Sequence, residues 1–399
     1  MNKKIVAINS CNYGSTGNIM IDILKTAEKD KMITLACYPK SRRTMKKFNK
    51  KKHYYIGGLI LRNISLRLSV LTGFSGCFSF FDTLKTLVAI NHFKPDVIHL
   101  HNLHDAYINI PLLFKYIKKQ HVRVIWTLHD CWAFTGHCPH FIITNCQKWK
   151  KGCNHCPSYK EYPVSIFDNS SFMWRLKKKW FSGIEDLTIV TPSNWLSDLV
   201  KQSFLNQYPV RVINNGIDLD VFKPIKNDFR SKYKLDNKYI LLGVAFSWGN
   251  RKGLDVFIEL SRRLDECFVI VLVGTNDEID KLLPDNIISI HKTQNQNDLA
   301  KIYSAADLFV NPTREENYPT VNMEAIACGT PVLTFRTGGS PEIPDEKTGY
   351  VVDVDDIDEL EKQIVHICTN KIFSKADCLE RAKLFDKNKK FCEYVELYR

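Results

Sequence analysis

No stretch of this sequence reaches the 18 or so consecutive apolar residues that a membrane-spanning helix needs. The opening, Met1-Asn-Lys-Lys-Ile-Val-Ala-Ile-Asn9, is too briefly apolar for a signal peptide, and Lys4 to Ile8 reads instead as a first buried strand. Together these absences predict a cytoplasmic protein. Internal repeats and low-complexity tracts are missing too, which excludes a repeat architecture. The Gly-x-Gly-x-x-Gly spacing of dinucleotide-binding turns does not follow the first strand, so no NAD site is expected. Acidic residues are scarce in the first half: residues 1–200 hold 12 Asp+Glu against 29 Lys+Arg, whereas the remainder holds 31 against 27. The net charge of +13 is therefore carried by the first half, the part expected to meet an anionic partner. No RNA- or DNA-reading module accompanies that charge, which argues against a nucleic-acid partner.

What is present suits packed cores. The chain has 399 residues, enough for two or three domains, and 44% are hydrophobic. Thirteen cysteines in a cytosolic chain should be thiols or metal ligands, because disulfides persist poorly there. Short β-branched runs at Lys4 to Ile8, Val97 to Leu100, Val122 to Thr127 and Leu187 to Thr191 alternate with helical patterns, the signature of a parallel sheet. A hinge is expected around Val210 to Asp218. Alternation then resumes: strand Tyr239 to Phe246, helix Gly253 to Leu264, strand Phe268 to Gly274, helix Asp298 to Ala306 and a strand ending at Asn311. Two such halves predict an α/β protein of two doubly wound, Rossmann-like domains facing a cleft.

The richest segment runs from Asn311-Pro-Thr-Arg-Glu-Glu-Asn-Tyr-Pro319 through Phe335 to Gly338-Gly-Ser-Pro-Glu342. A strand breaks into a polar loop carrying Glu316. Pro319 suits the first position of a helix that has Glu324 in its second turn and Gly329 as its stop. One carboxylate thus sits on a loop and another on a helix, both near a strand's carboxyl end, where open α/β sheets bind ligands. Helix N-terminal N–H groups hold phosphate, and a carboxylate accepts hydrogen bonds from hydroxyls. Arg251 and Lys252, after the strand that opens the second half, are placed to neutralise a leaving diphosphate. Gly14-Ser-Thr-Gly17 forms a turn whose N–H groups can approach phosphate. His129 and Asp130 follow another strand.

Glu316, Glu324, Ala325, Gly329 to Val332 and Gly338 to Glu342 resemble the nucleotide-sugar motif of the family 4 retaining glycosyltransferases, which have the GT-B fold. The resemblance implies that Glu316 faces the donor sugar and β-phosphate, and Glu324 the ribose hydroxyls. It places His129 beside the donor sugar and Lys252, with Arg251, at the diphosphate. Tyr318, Thr320, Gly338, Gly339, Gly14 and Gly17 are implied in binding the nucleotide sugar. The family often has an Arg six residues before the Lys, where this chain has Phe246. The segment His99 to Asp105 resembles one that lines the acceptor side. By the same resemblance the domains are 1–212 on the acceptor side, with a Cys-rich insertion at 131–157, then 213–380 for the donor, with 381–399 crossing back to the first domain.

Cys138, Cys146, Cys153 and Cys156 are spaced Cys-x7-Cys-x6-Cys-x2-Cys. The last pair has the chelate spacing of structural zinc sites, while the wider gaps are less typical. Zinc, four unliganded thiols, and ligation completed by His137, His140 or His155 all stay open. With the run Thr127 to Cys138, the cluster resembles the subgroup acting in colanic-acid-type exopolysaccharide, O-antigen and lipopolysaccharide synthesis. The expectation is a glycosyltransferase that needs no catalytic metal. Its partners would be a nucleotide-diphosphate sugar, a lipid-linked oligosaccharide acceptor and the anionic inner face of a membrane. The basic run Lys40 to Lys52, eight cations in thirteen residues, motivates the membrane expectation, with the residues from Leu59 to Leu71 as its apolar companion. A nucleotide-sugar epimerase of the same architecture and a zinc-containing nucleic-acid-binding protein are the alternatives.

Overall fold

A computed structural model describes residues 2–40 and 52–399. The described residues divide into two compact units. One runs up to Asn214 and takes in Lys390–Arg399, and the other comprises Asn215–Lys389.

The first unit is built on seven parallel strands: β1 (Lys4–Ile8), β2 (Ile33–Pro39), β3 (His53–Ile56), β4 (Val97–Leu100), β5 (Arg123–Thr127), β6 (Leu187–Thr191) and β7 (Val210–Val212). Their order is β3-β2-β1-β4-β5-β6-β7. Strand side chains alternate between faces, and both faces are covered. Val6 and Ile8 join Leu35, Leu100, Phe114 and Trp126 on one side. Ile5 and Ala7 join Met20, Ile23 and the C-terminal Phe391, Tyr394, Val395 and Tyr398 on the other. This double burial is why β1 reads as an apolar run after Lys4, and why β4 is apolar but for His99. Each large aliphatic side chain so buried contributes about 1.5–3 kcal/mol.

The second unit repeats the plan with six strands: β8 (Tyr239–Val244), β9 (Phe268–Val273), β10 (Ile287–Ile290), β11 (Leu308–Asn311), β12 (Val332–Phe335) and β13 (Gly349–Val352), in the order β10-β9-β8-β11-β12-β13. Ile240, Leu242, Val271 and Phe309 face one core, and Leu241, Ile270, Leu272 and Leu308 the other. In both sheets the strand order reverses beside the first strand, between β1 and β4 and between β8 and β11. Loops at such switch points splay apart and leave a crevice at the strands' carboxyl ends.

β1, β4 and β6 have the bounds expected from sequence, while β5, β8 and β9 are shorter by one or two residues. Pro319 is not the first helical residue. It is the N-cap of the helix Thr320–Ala327, with extended backbone, and Gly329 follows the helix in the left-handed conformation. The basic run Lys40 to Lys52 lies, except for its two ends, outside the described residues.

Candidate active site

In the second unit the loops after β8 and β11 are knitted together at the switch point. Arg314 N–H donates to Arg251 O (2.9 Å), Thr313 Oγ1 donates to the same carbonyl (3.2 Å), and Arg251 Nη1 donates to Glu315 O (3.2 Å). The Arg314 guanidinium reaches Asn250 O at 2.6 Å and pairs with Asp255 and Asp355. Its side chain is only 12% exposed, so it acts as a strut rather than a free cation. Lys252 Nζ and Glu316 Oε2 are directly paired, with side chains 18% and 22% exposed. The other Glu316 oxygen accepts from Asn317 N–H (3.1 Å). Lys252 and Glu316 are thus brought together, with the more exposed Arg251 beside them. Phe246, two residues past β8, is 92% exposed.

The third component of this site is the turn after β12. Gly338 has φ +54°, and a Cβ there would lie 1.7 Å from Glu316 O. Gly339 N–H donates to Asn317 O (2.7 Å). The two glycines therefore clamp the backbone that carries Glu316, and the Gly339 amide is engaged within the protein. Glu324 is held by Tyr303, whose hydroxyl donates to Oε2 at 3.1 Å. Burial raises the Glu324 carboxyl to about 7, against the pull of hydrogen bonds from Tyr303 and Thr320. The Tyr318 ring packs into the second unit's core and is 6% exposed.

At the first unit's switch point, Asn9 Oδ1 accepts from Asn102 N–H (3.2 Å), tying the loops after β1 and β4. Gly14 opens the helix Gly14–Lys29 with φ +71°, and Gly17 lies where a Cβ would meet the Asn12 backbone at 2.6 Å. His99 does not line a surface. It is fully buried, with Nδ1 against Tyr398 Oη (2.6 Å) and Nε2 against Thr127 Oγ1 (2.8 Å). His101 Nδ1 meets His129 Nε2 at 3.0 Å with the rings stacked. Burial lowers His129 to about 4, outweighing the nearby Asp130 carboxylate, so His129 is a neutral imidazole at neutral pH.

His104 behaves in the opposite sense. Burial alone would depress it, but Asp130, 3.0 Å from Nε2, and Asp105 raise it to about 10. Tyr162 Oη completes the group at 2.9 Å from His104 Nδ1. Asp130 and the segment His99 to Asp105 were singled out in the sequence, but Tyr162 and the joining of these groups were not. Nor was Arg314, which stands inside the motif with no spacing to mark it as a strut.

None of the thirteen cysteines forms a disulfide. Cys138, Cys146, Cys153 and Cys156 line one small cavity with His137. Three donor atoms within 4.8 Å of one another are found, among the described residues, at Asp277, Asp280 and His291 on the second unit's surface, where Asp280 already binds Ser289 and His291.

Comparison with known proteins supports the same assignment from two sides. The family model described as Glycosyltransferase Family 4 matches residues 61–221, and that described as Glycosyl transferases group 1 matches residues 237–370. The chain belongs to the family 4 glycosyltransferases. Among its relatives in the family, a putative colanic acid biosynthesis glycosyl transferase of Escherichia coli is 25% identical over 281 residues, 67% of this chain and 66% of the relative. An uncharacterized protein of the Klebsiella pneumoniae cps region is 25% identical over 79% of this chain and 82% of its own length. The sulfoquinovosyl transferase of Arabidopsis thaliana is also 25% identical, but this chain spans only 42% of its length. Solved structures agree on the GT-B fold. Sucrose-phosphate synthase from Thermosynechococcus elongatus superposes with a TM-score of 0.72 at 17% identity, covering 100% of this chain and 98% of that one. HepE of Anabaena, solved with UDP, gives 0.70 at 14% identity, covering 100% and 99%.

Proposed function

We propose that this family member is a retaining glycosyltransferase. It would move a sugar from a nucleotide-diphosphate sugar to a lipid-linked oligosaccharide in bacterial surface polysaccharide synthesis. The observation that carries the reading is the Lys252–Glu316 pair at the second sheet's switch point, with Arg251 beside it. Lys252 and Arg251 supply positive charge for the diphosphate, where leaving-group charge develops. Glu316 orients the donor sugar and Glu324 accepts from the ribose hydroxyls. The sugar C1–O bond to the β-phosphate breaks, and the nucleoside diphosphate departs with the electron pair. The acceptor hydroxyl oxygen then bonds to C1 from the same face, and its proton passes to a phosphate oxygen of the departing group. Among relatives, HepE was solved with UDP-glucose, and the Escherichia coli protein's description names colanic acid synthesis. The matching families favour neither an epimerase nor a nucleic-acid binder.

The membrane-facing part of the reading rests on the helix Leu59–Thr72. Its buried residues are Ser65 and Ser69, while Leu59, Ile60, Leu61, Ile64, Leu66, Leu68 and Leu71 are exposed. Soluble helices bury the apolar face and show the polar one, so this helix is turned the other way. Phe80, Phe81, Leu84 and Val88 add exposed apolar side chains on the helix Phe80–Phe93. Arg62, Arg67 and Lys85 are interspersed, which suits an anionic bilayer surface. No helix among the described residues is long and apolar enough to cross the membrane.

Two measurements test the proposal. Glu316→Gln and Lys252→Ala should each lower turnover about 100- to 1000-fold with the fold retained, and NMR of the product should show the donor's anomeric configuration preserved. Near-normal turnover in both variants, or an inverted product, refutes it. In vesicle co-sedimentation, binding should require anionic lipid and weaken when Ile60, Ile64 and Leu71 become Gln. Binding that ignores lipid charge and these residues removes the membrane part.

A further inference from the structure

Residues 128–169, between β5 and the helix Ser170–Phe181, contain no strand and only one short 3-10 turn, Lys148–Lys150. Irregular segments of this length inside a compact unit need something other than backbone ladders to hold them. Part of the answer is aromatic: Trp149 packs between Phe134 and Phe141, with ring centroids 5.1 and 5.2 Å away. The rest centres on the cavity, about 10 Å³, lined by Cys138, Cys146, Cys153, Cys156 and His137. That volume is about one small sphere, room for an ion.

We propose that Cys138, Cys146, Cys153 and Cys156 bind one zinc ion that clasps this loop to the first unit. Four soft sulfur donors select zinc-type ions, and a full set of four closes the shell, which is the structural rather than the catalytic arrangement. Metal binding displaces the thiol protons; one amide donor and two lysines lie in these surroundings. Gly136 N–H donates to Cys153 Sγ at 3.1 Å. Lys148 Nζ reaches Asn154 O and His155 O at 3.1 and 3.0 Å. The fully buried Lys177 Nζ reaches Trp132 O and Thr135 O at 2.7 and 3.0 Å. His137 is 6% exposed and its Nε2 has no hydrogen-bond partner, although it belongs to a residue lining the cavity. A buried polar atom left in this way is costly.

No three of the four sulfurs lie within 4.8 Å of one another. Zn–S bonds of about 2.3 Å require sulfurs about 3.8 Å apart in a tetrahedron, so binding contracts the loop. The consequence reaches beyond the cavity. The same loop delivers Asp130 and Tyr162 to His104 and places His129 against His101, so the ion would fix the polar cluster at the first sheet's switch point.

Elemental analysis of protein from zinc-supplemented cultures, purified without chelator, tests this. About one zinc per chain is expected, falling below about one-fifth in Cys153→Ser and Cys156→Ser. It should be unchanged in Cys267→Ser, whose thiol is exposed elsewhere, and retained in His137→Ala. Should the serine variants fail to fold, cobalt exchanged into the wild-type protein decides through its thiolate charge-transfer absorption. Zinc well below one per chain, iron in its place, cobalt without that absorption, or loss of metal from His137→Ala would overturn the four-cysteine zinc site.

Discussion

Glu324 answers to two opposed demands. In the proposed role it accepts hydrogen bonds from ribose hydroxyls, which favours the ionised carboxylate, yet its surroundings raise the carboxyl to about 7. Nucleotide binding favours the ionised form, so binding releases a proton and affinity rises as pH increases through 7. Between about pH 6 and about pH 8 the ionised fraction climbs roughly tenfold, and nucleotide Kd should fall by a similar factor. Calorimetric titration in buffers of different ionisation enthalpy reads both the affinity and the proton. Glu324→Gln should bind weakly and without the pH trend. A wild-type affinity flat across that range would mean that Glu324 does not receive the nucleotide. Tyr303 is the residue that the sequence could not offer for this site, since it donates to Glu324 from 21 positions away on another helix.

At the scale of elements, the turn Gly338–Gly339 matters because of what it holds. Left-handed backbone costs a non-glycine residue about 1–2 kcal/mol, and an added Cβ would also strike Glu316 O. Gly338→Ala should therefore destabilise the fold by roughly 1–3 kcal/mol and lower turnover, because the loop that gives way carries Glu316. Denaturation and turnover measured beside the wild-type protein read both effects. If Gly338→Ala melts and turns over like wild type, the clamp is not needed. Elements buried on both faces were the readable ones: β1 is apolar after Lys4, β4 is apolar but for His99, and β6 sets Leu187, Ile189 and Val190 among two threonines. β2, β3, β10, β12 and β13 escaped expectation: β3 is the four residues His53–Ile56, and β13 begins at Gly349, where aliphatic side chains are too few to announce a strand. The helix Leu59–Thr72 was legible as apolar with two arginines, but that it buries its serines is a fact of packing.

Over the whole molecule, the second unit's site was legible because its residues fall in two short segments, after β8 and β11–β12, whose spacing survives in the sequence. The first unit's cluster was not: His104, Asp130 and Tyr162 lie on different parts of a strand-end loop and the long segment 128–169, and only the fold joins them. This division gives a test in which donor and metal should act on separate backbone segments. Hydrogen exchange reports local opening, and a ligand slows it where it adds contacts. A saturating nucleotide-diphosphate sugar should slow exchange at 247–253, 312–320 and 336–342, around Lys252, Glu316 and Gly338. Chelation of zinc should speed exchange at 130–162 and leave those three segments unchanged. The first result alone would keep the donor site and remove the clasp, and the second alone would do the reverse. Donor protection confined to 130–162 would relocate the nucleotide to the first unit and refute the donor-binding roles of Lys252, Glu316 and Glu324.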